Sequence, residues 1–469
     1  MLRRAKVVAA VGGPRLARRR LALALVVPLL LSGIAGTVGA QLSQDEEAFP
    51  GPDEVQDRLS TFDEHPWIEV TQVGTSTEDR PIKVAEVADP NATTPREERA
   101  VTLILTQQHG NEPAGTPAAI RLLENVTAGG PVTDRLDDQV LVVMPMVNPD
   151  GSEAFQRGNA DGVDINRDHI DLETPEAEAV HRVINDWDID VALDHHEYGG
   201  FGPGNPVPVR TYDHDLLTLY PIHGNVRGPT LDAASDLMYQ GIWPQVEEEG
   251  YSVNEYGEVT VNDEGVDKIA GGPDPGILRN HYGLHNVAGL LIETRVDQYP
   301  NEFHTPERRI EIQRVVMDAA TRYVDQHADR FSTAKEKSAE LAVELPSEKY
   351  VEGNTTGDLA KAYELPNEEE VKDLMEQHTI EPGVVTEDGL VHDAVHPLRG
   401  HAAALFHPDS SRAVVEGTAT TPPDNASTGA DLEEASADGE GPSAVPLGMG
   451  VTLASLMAAL ALAGRARAR

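Results

Sequence analysis

Four short runs of apolar, largely β-branched residues, each ending among polar side chains, constrain this chain more than any other feature. They are Ala100–Thr106 (AVTLILT), Gln139–Val147 (QVLVVMPMV), Ile189–Asp194 and Val287–Thr294 (VAGLLIET). Runs of this length without alternation belong to strands buried on both faces. Segments of helical period lie between them: Ala114–Val126, then a helix opened by Thr174 as N-cap and Pro175 in its first turn, reaching about Trp187. Arg308–Phe331 reads as a long closing helix. This alternation predicts an α/β fold, a mostly parallel sheet with helices on both faces. Ligand sites in such sheets lie beyond the carboxyl ends of the strands.

Composition removes several chemistries. The chain has no cysteine, so a disulfide framework, thiolate-held zinc, an iron–sulfur cluster and a thiol nucleophile are all excluded. Any metal must sit on His and carboxylates. With 37 Lys and Arg against 79 Asp and Glu, the net charge is −42. That excess argues against a nucleic-acid binder, which needs clustered cations for phosphate, and disfavours docking on anionic lipid. Acid spread along the whole chain, with Arg as the main base, reads as adaptation to high salt. Hydrophobic residues at 39% sustain a real core.

The polar residues at the strand ends share one chemistry. Gln107-Gln108-His109-Gly110-Asn111-Glu112-Pro113 follows the first strand, and Gly110 permits a tight bend that turns His109 and Glu112 toward one ion. After the third strand comes Asp194-His195-His196-Glu197, which brings another imidazole to the same sheet edge. Two His and one Glu make a catalytic zinc set with a fourth position left for water. On spacing alone, His195 serves as well as His196. The fourth strand ends in Glu293, a carboxylate that is costly there without a role or a partner.

These motifs resemble the zinc carboxypeptidase family in its haloarchaeal-type secreted members. The likeness starts at Gly74-Thr-Ser-Thr-Glu-Asp79-Arg80-Pro81-Ile82, where Asp79 replaces the usual Gly. It runs on through QHGNEPAG at 108–115, Asn148-Pro149-Asp150-Gly151, Arg157, Asp164-Ile165-Asn166-Arg167-Asp168, Asp194–Glu197 and Ile292-Glu293-Thr294. The resemblance implies an eight-stranded, mixed twisted sheet over residues 52–332. It implies one Zn2+ held by His109, Glu112 and His196, with Glu293 as general base and then acid. It further implies that Arg157 stabilises the oxyanion, and that Asn166 and Arg167 clasp a C-terminal carboxylate. Tyr282 is the candidate for a side chain closing over the substrate, and Asp194 for a partner of a ligand imidazole. Asn148–Gly151 reads as structural turn chemistry, Glu197 and Asp168 as solvated or structural, and His281 and His285 as satisfied loop histidines.

The expected activity is zinc-dependent hydrolysis of C-terminal peptide bonds in extracellular peptides. An amidohydrolase of N-acyl amino acids or cell-wall peptides on the same fold is the alternative, favoured by an interval of 84 residues between Glu112 and His196 that suits compact members. An inactive surface binding or adhesion protein is the third reading. Residues 1–40 have the basic, apolar and small-residue regions of a secretory signal, leaving open which export route reads it. After a linker at 41–51 and the catalytic region come a small β-rich module at 345–415, with strands within Val384–Phe406, and an acidic Thr/Ser/Pro-rich stalk at 416–443. A membrane-spanning segment at 445–464 and a basic tail at 465–469 predict a surface-anchored protein.

Overall fold

The computed structural model describes residues 48–421 except 199–213, 263–264, 270–271, 299–301, 345–347, 351–355, 382, 387–388 and 395. The expectations for the leader, the 445–464 segment, the basic tail and nearly all of the stalk lie outside the described residues. No helix among the described residues is long and apolar enough to cross a membrane.

The apolar runs become the middle of an eight-stranded mixed sheet. Its strands are β1 (Ile68–Thr75), β2 (Pro81–Val87), β3 (Ala100–Thr106), β4 (Gln139–Met144), β5 (Val191–Tyr198), β6 (Leu216–Leu219), β7 (Val253–Glu255) and β8 (Ala288–Arg295). Their spatial order is β1-β2-β4-β3-β5-β8-β6-β7. The pairs β3·β4, β3·β5, β5·β8 and β6·β7 are parallel, while β1·β2, β2·β4 and β6·β8 are antiparallel. Every residue of β3 and β4 is buried, which accounts for their uninterrupted apolar sequences. Leu103, Ile104 and Leu105 are each 0% exposed, and burying such side chains contributes about 1.5–3 kcal/mol apiece.

Helices cover both faces. One face packs against α1 (Pro52–Phe62), α2 (Gly115–Thr127), α4 (Gly228–Asp236) and α6 (Pro306–Gln326) through a core containing Leu59, Leu123, Ile104, Leu193, Ile292 and Val316. The other face, with Leu103, Val142 and Ala192, meets α3 (Pro175–Asp186) and α5 (Leu278–Leu284). Thr174 caps α3 by accepting from the Ala177 amide, with Pro175 in the first turn. The closing helix is not continuous. It breaks at His327, whose φ of −139° is not helical, and resumes as α7 (Ala328–Val343).

The stretch after β5 supplies β6, α4 and β7. Residues 359–421 form a smaller layer with α8 (Glu369–Gln377), α9 (Arg399–Phe406) and four short strands. Strands were expected through Val384–Phe406, but Arg399–Phe406 is helical. Its small residues Gly400, Ala402, Ala403 and Ala404 bury the helix fully. Ile170 joins Tyr363, Met375, Leu405 and Phe406 in the core of this layer, which therefore packs on the loop before α3.

Candidate active site

The loop after β3 is held in shape before any ligand enters. Gln107 adopts φ +54°, a conformation L residues seldom take, and its side chain compensates. Its Nε2 donates to Gly110 O (3.0 Å) and Ser152 Oγ (2.9 Å), and its Oε1 accepts from Thr116 Oγ1 (2.6 Å). Gly110 is required by contact and not by its backbone angle. A Cβ there would lie 1.9 Å from the carbonyl carbon of Gly151. The Asn148–Gly151 turn thus braces this loop directly. Asn148 Nδ2 donates to Gln108 O (3.2 Å) and Gly158 O (3.1 Å), and Asn148 Oδ1 accepts from the Gly151 amide (2.8 Å). Asp79 takes φ +64°, so the aspartate holds the left-handed turn that glycine would adopt at lower cost.

Sheet register decides between the two adjacent histidines. Neighbouring residues of a strand point to opposite faces. His196 lies beside Glu293 in the parallel β5·β8 pairing and His195 beside Ile292. His195 turns to α6, where its Nδ1 hydrogen-bonds Gln313 Oε1. His196 turns to the loop after β3.

There, four potential ligand atoms from three residues cluster. His109 Nδ1 is 2.9 Å from Glu112 Oε1, His196 Nδ1 is 2.8 Å from Glu112 Oε2, and the two Nδ1 atoms are 3.0 Å apart. An ion about 2.0 Å from each atom of a tetrahedral set requires ligand separations of about 3.3 Å, so the two imidazole nitrogens are nearly at the right spacing and the carboxylate lies beside both. A carboxylate backs each imidazole on its far side: His109 Nε2 lies 3.0 Å from Asp164 Oδ1 and His196 Nε2 lies 2.9 Å from Asp194 Oδ2. Such partners fix the ring and raise the basicity of the nitrogen facing the ion. The donor chemistry and the spacing both fit one zinc ion, and His109, Glu112 and His196 form a group that could hold it.

The surrounding charges are strongly coupled. Burial raises the pKa of Glu112, but His109 and His196 more than offset it and hold the carboxyl well below its usual range. Burial lowers His196, and Asp194 and Glu112 outweigh that, leaving its pKa well above the ordinary imidazole value. Glu293 is pushed up to about 8, chiefly by desolvation.

Arg157 sits over this group, not on a remote surface. Its Nη1 donates to Glu112 Oε1 (3.2 Å) and its Nε to Asp164 Oδ2 (3.0 Å), while about half the side chain stays exposed. Asn166 is buried with Nδ2 3.2 Å from His196 Nε2, and Arg167 is exposed beside it, its Nη1 on Asn166 O (2.6 Å). The structure corrects two expectations. Tyr282 is 0% exposed in the core against Leu278, Val287 and Ala192, because α5 turns that side inward, so it cannot close over a substrate. Glu197, read as solvated or structural, is structural: it is buried and accepts from Arg309 Nε (2.7 Å) and Nη2 (2.9 Å) and from the Ala114 amide (2.9 Å). His281 and His285 are not satisfied loop histidines: both are buried, and His281 has neither ring nitrogen hydrogen-bonded.

The sequence reading gave no role to Asp164, although it lies within a quoted motif, and none to Gln108, whose Nε2 donates to Asp194 Oδ1 (3.1 Å). It also overlooked Arg279, a buried guanidinium whose Nη2 donates to Gly272 O (2.7 Å) and whose charge acts on Glu293 and Asp194.

Residues 59–201 match the family model described as zinc carboxypeptidase, a span that includes every site residue named above except Arg279, Tyr282 and Glu293. The chain is 29% identical over 194 residues to a probable carboxypeptidase 2 of Trichophyton verrucosum, covering 40% of this chain and 36% of that protein. It is 32% identical over 143 residues to human carboxypeptidase D, covering 27% of this chain and 10% of that protein. The alignments thus span about a third or less of the length of these relatives. Among solved structures, a metallo-carboxypeptidase from Burkholderia cenocepacia is similar at 17% identity and a TM-score of 0.45, over 59% of this chain and 69% of that one.

Proposed function

We propose that this chain is a zinc-dependent metallocarboxypeptidase that removes C-terminal residues from extracellular peptides. The observation that carries the reading is the ligand cluster of His109, Glu112 and His196, with its donor atoms in contacts of 2.8–3.0 Å and a carboxylate behind each imidazole.

His109, Glu112 and His196 would hold the zinc, which when bound supplies a Lewis acid for the scissile carbonyl and acidifies water. Glu293, facing the same side of the sheet as His196, takes the proton from the attacking water. Its desolvated setting makes it a stronger base than an ordinary carboxylate once ionised, and a competent acid when it passes that proton to the leaving amine. Arg157 places a partly exposed guanidinium where the carbonyl oxygen gains negative charge. Arg167, beside the buried Asn166, presents a planar cation to the substrate's terminal carboxylate. The same residues serve an N-acyl amino acid, which also ends in a carboxylate.

Export by the 1–40 leader, anchoring through 445–464 behind the acidic stalk, and a high-salt setting belong to the same proposal. They rest on the basic and apolar sequence at those positions and the net charge of −42.

The test is an assay of zinc-loaded protein in high salt against N-blocked dipeptides and N-acyl amino acids. Dipeptide cleavage is expected, with Glu293→Gln lowering kcat by about 10²–10⁴ while zinc content stays at the wild-type level. Cleavage of acyl amino acids alone moves the assignment to a deacylase. No hydrolysis of either class would overturn the enzyme reading.

A further inference from the structure

Outside the site described above, the structure gathers four more histidines. His281 lies in α5 and His285 caps it, a spacing of four residues that puts both rings on one side of the helix. His378, the C-cap of α8, and His401, in α9, come onto them from the 359–421 layer. All four are buried, and one ring nitrogen from each lies within 4.8 Å of the others. His401 Nε2 is 3.0 Å from His378 Nδ1. Ring centroids are 4.6 Å apart for His281 and His285, 4.7 Å for His281 and His401, and 4.9 Å for His285 and His401.

As a metal-free core this arrangement is costly. Both ring nitrogens of His281, Nε2 of His285 and Nδ1 of His401 are buried with no hydrogen-bond partner. Each such atom costs about 1–3 kcal/mol. His181, from α3, places its ring centroid 4.3 Å from that of His281, tilted by 58°, and adds another imidazole to the wall. Burial keeps the four central rings neutral, the form in which imidazole binds metal.

We propose that His281, His285, His378 and His401 bind a second divalent transition-metal ion, zinc by preference, in a closed site that fastens the 359–421 layer to the sheet. Imidazole donors suit zinc, copper, nickel and cobalt and exclude calcium and magnesium, which take oxygen. Four protein donors around one ion, all buried, leave no position for water or substrate, so the site is structural. The N···N separation of 3.0 Å is close to the edge of about 3.3 Å that a tetrahedral zinc requires. Lys335, the cation that acts on His285, is itself held 2.5 Å from Asp188, which tempers its repulsion of an added charge. A cavity of about 450 Å³, lined by Lys335, His392, Asp393 and His396, reaches His285 and offers the ion a route in. His285 stands just before β8, the strand carrying Glu293, so the second ion steadies the start of that strand.

The full chain, stripped with chelator and reloaded, tests this by metal counting and X-ray absorption. Wild type should retain about two zinc ions, and His196→Ala about one. The ion left in His196→Ala should show an all-nitrogen shell of about four atoms near 2.0 Å. His401→Ala should retain about one ion, bound with a mixed nitrogen and oxygen shell, and its unfolding temperature should respond less to zinc. A wild type holding one ion and a His196→Ala protein holding none would overturn the proposal, as would oxygen in the remaining shell. The His196→Ala measurement leaves the cluster untouched, so it decides the matter even if His401→Ala does not fold.

Discussion

Replacing Arg309 by Met should destabilise the protein strongly. Arg309 reaches from α6 to Glu197 with contacts of 2.7 and 2.9 Å, and its guanidinium lies 4.9 Å above the Phe49 ring. The two side chains are 7% and 0% exposed. Methionine keeps the apolar packing but leaves Glu197 with the Ala114 amide and no cation. Breaking a buried pair in this way costs about 3–5 kcal/mol. The loss should therefore be about 3–5 kcal/mol at neutral pH, read as a Tm drop of roughly 6–10 °C. Thermal unfolding in chelator at pH 7 measures it against wild type. The Glu197→Gln/Arg309→Met pair, with no charge to strand, should recover much of the loss at pH 7. A penalty under about 1 kcal/mol at pH 7 would refute the reasoning.

Three further outcomes follow from the site. Asp164→Asn removes the negative charge behind His109 and weakens the hold on Arg157, so zinc affinity, measured by competition with a chelator, should fall about 10–100-fold. In metal-free protein Glu293 titrates near 8, above its unfolded value, so the folded state holds its proton more tightly. That stability is complete below about pH 4.5 and is lost as pH rises toward 8, with about 5 kcal/mol as an upper bound. Tm measured in chelator should therefore fall less for Glu293→Gln than for wild type between pH 5 and 8. Gly110→Ala drives a Cβ into the Gly151 backbone, and should cost at least about 3 kcal/mol and the ability to bind zinc, checked by unfolding and metal content.

The central strands were legible because each is a short local run buried on both sides, and the strand ends carried their chemistry with them. Strand order was not, since pairing β8 with β5 joins residues nearly a hundred positions apart and leaves no local trace. The choice between His195 and His196 needed the face each presents, which only the neighbouring strands and α6 define. Tyr282 misled because α5 rotates it inward, a matter of packing against Gly289 and the core. His281 and His285 carried a readable signal in their spacing of four, yet His378 and His401 reach them from helices that share no sequence pattern with α5. The closing helix was legible in type but not in extent, since nothing local announced the break at His327.

The contact between Gly110 and Gly151 means that the loop after β3 and the turn after β4 are a single part made from two stretches of chain. Neither can be lengthened, shortened or exchanged alone without opening a gap or a clash behind His109. Anyone transplanting this centre onto another scaffold must carry residues 107–112 together with 148–158, or the imidazole will arrive without the wall that aims it.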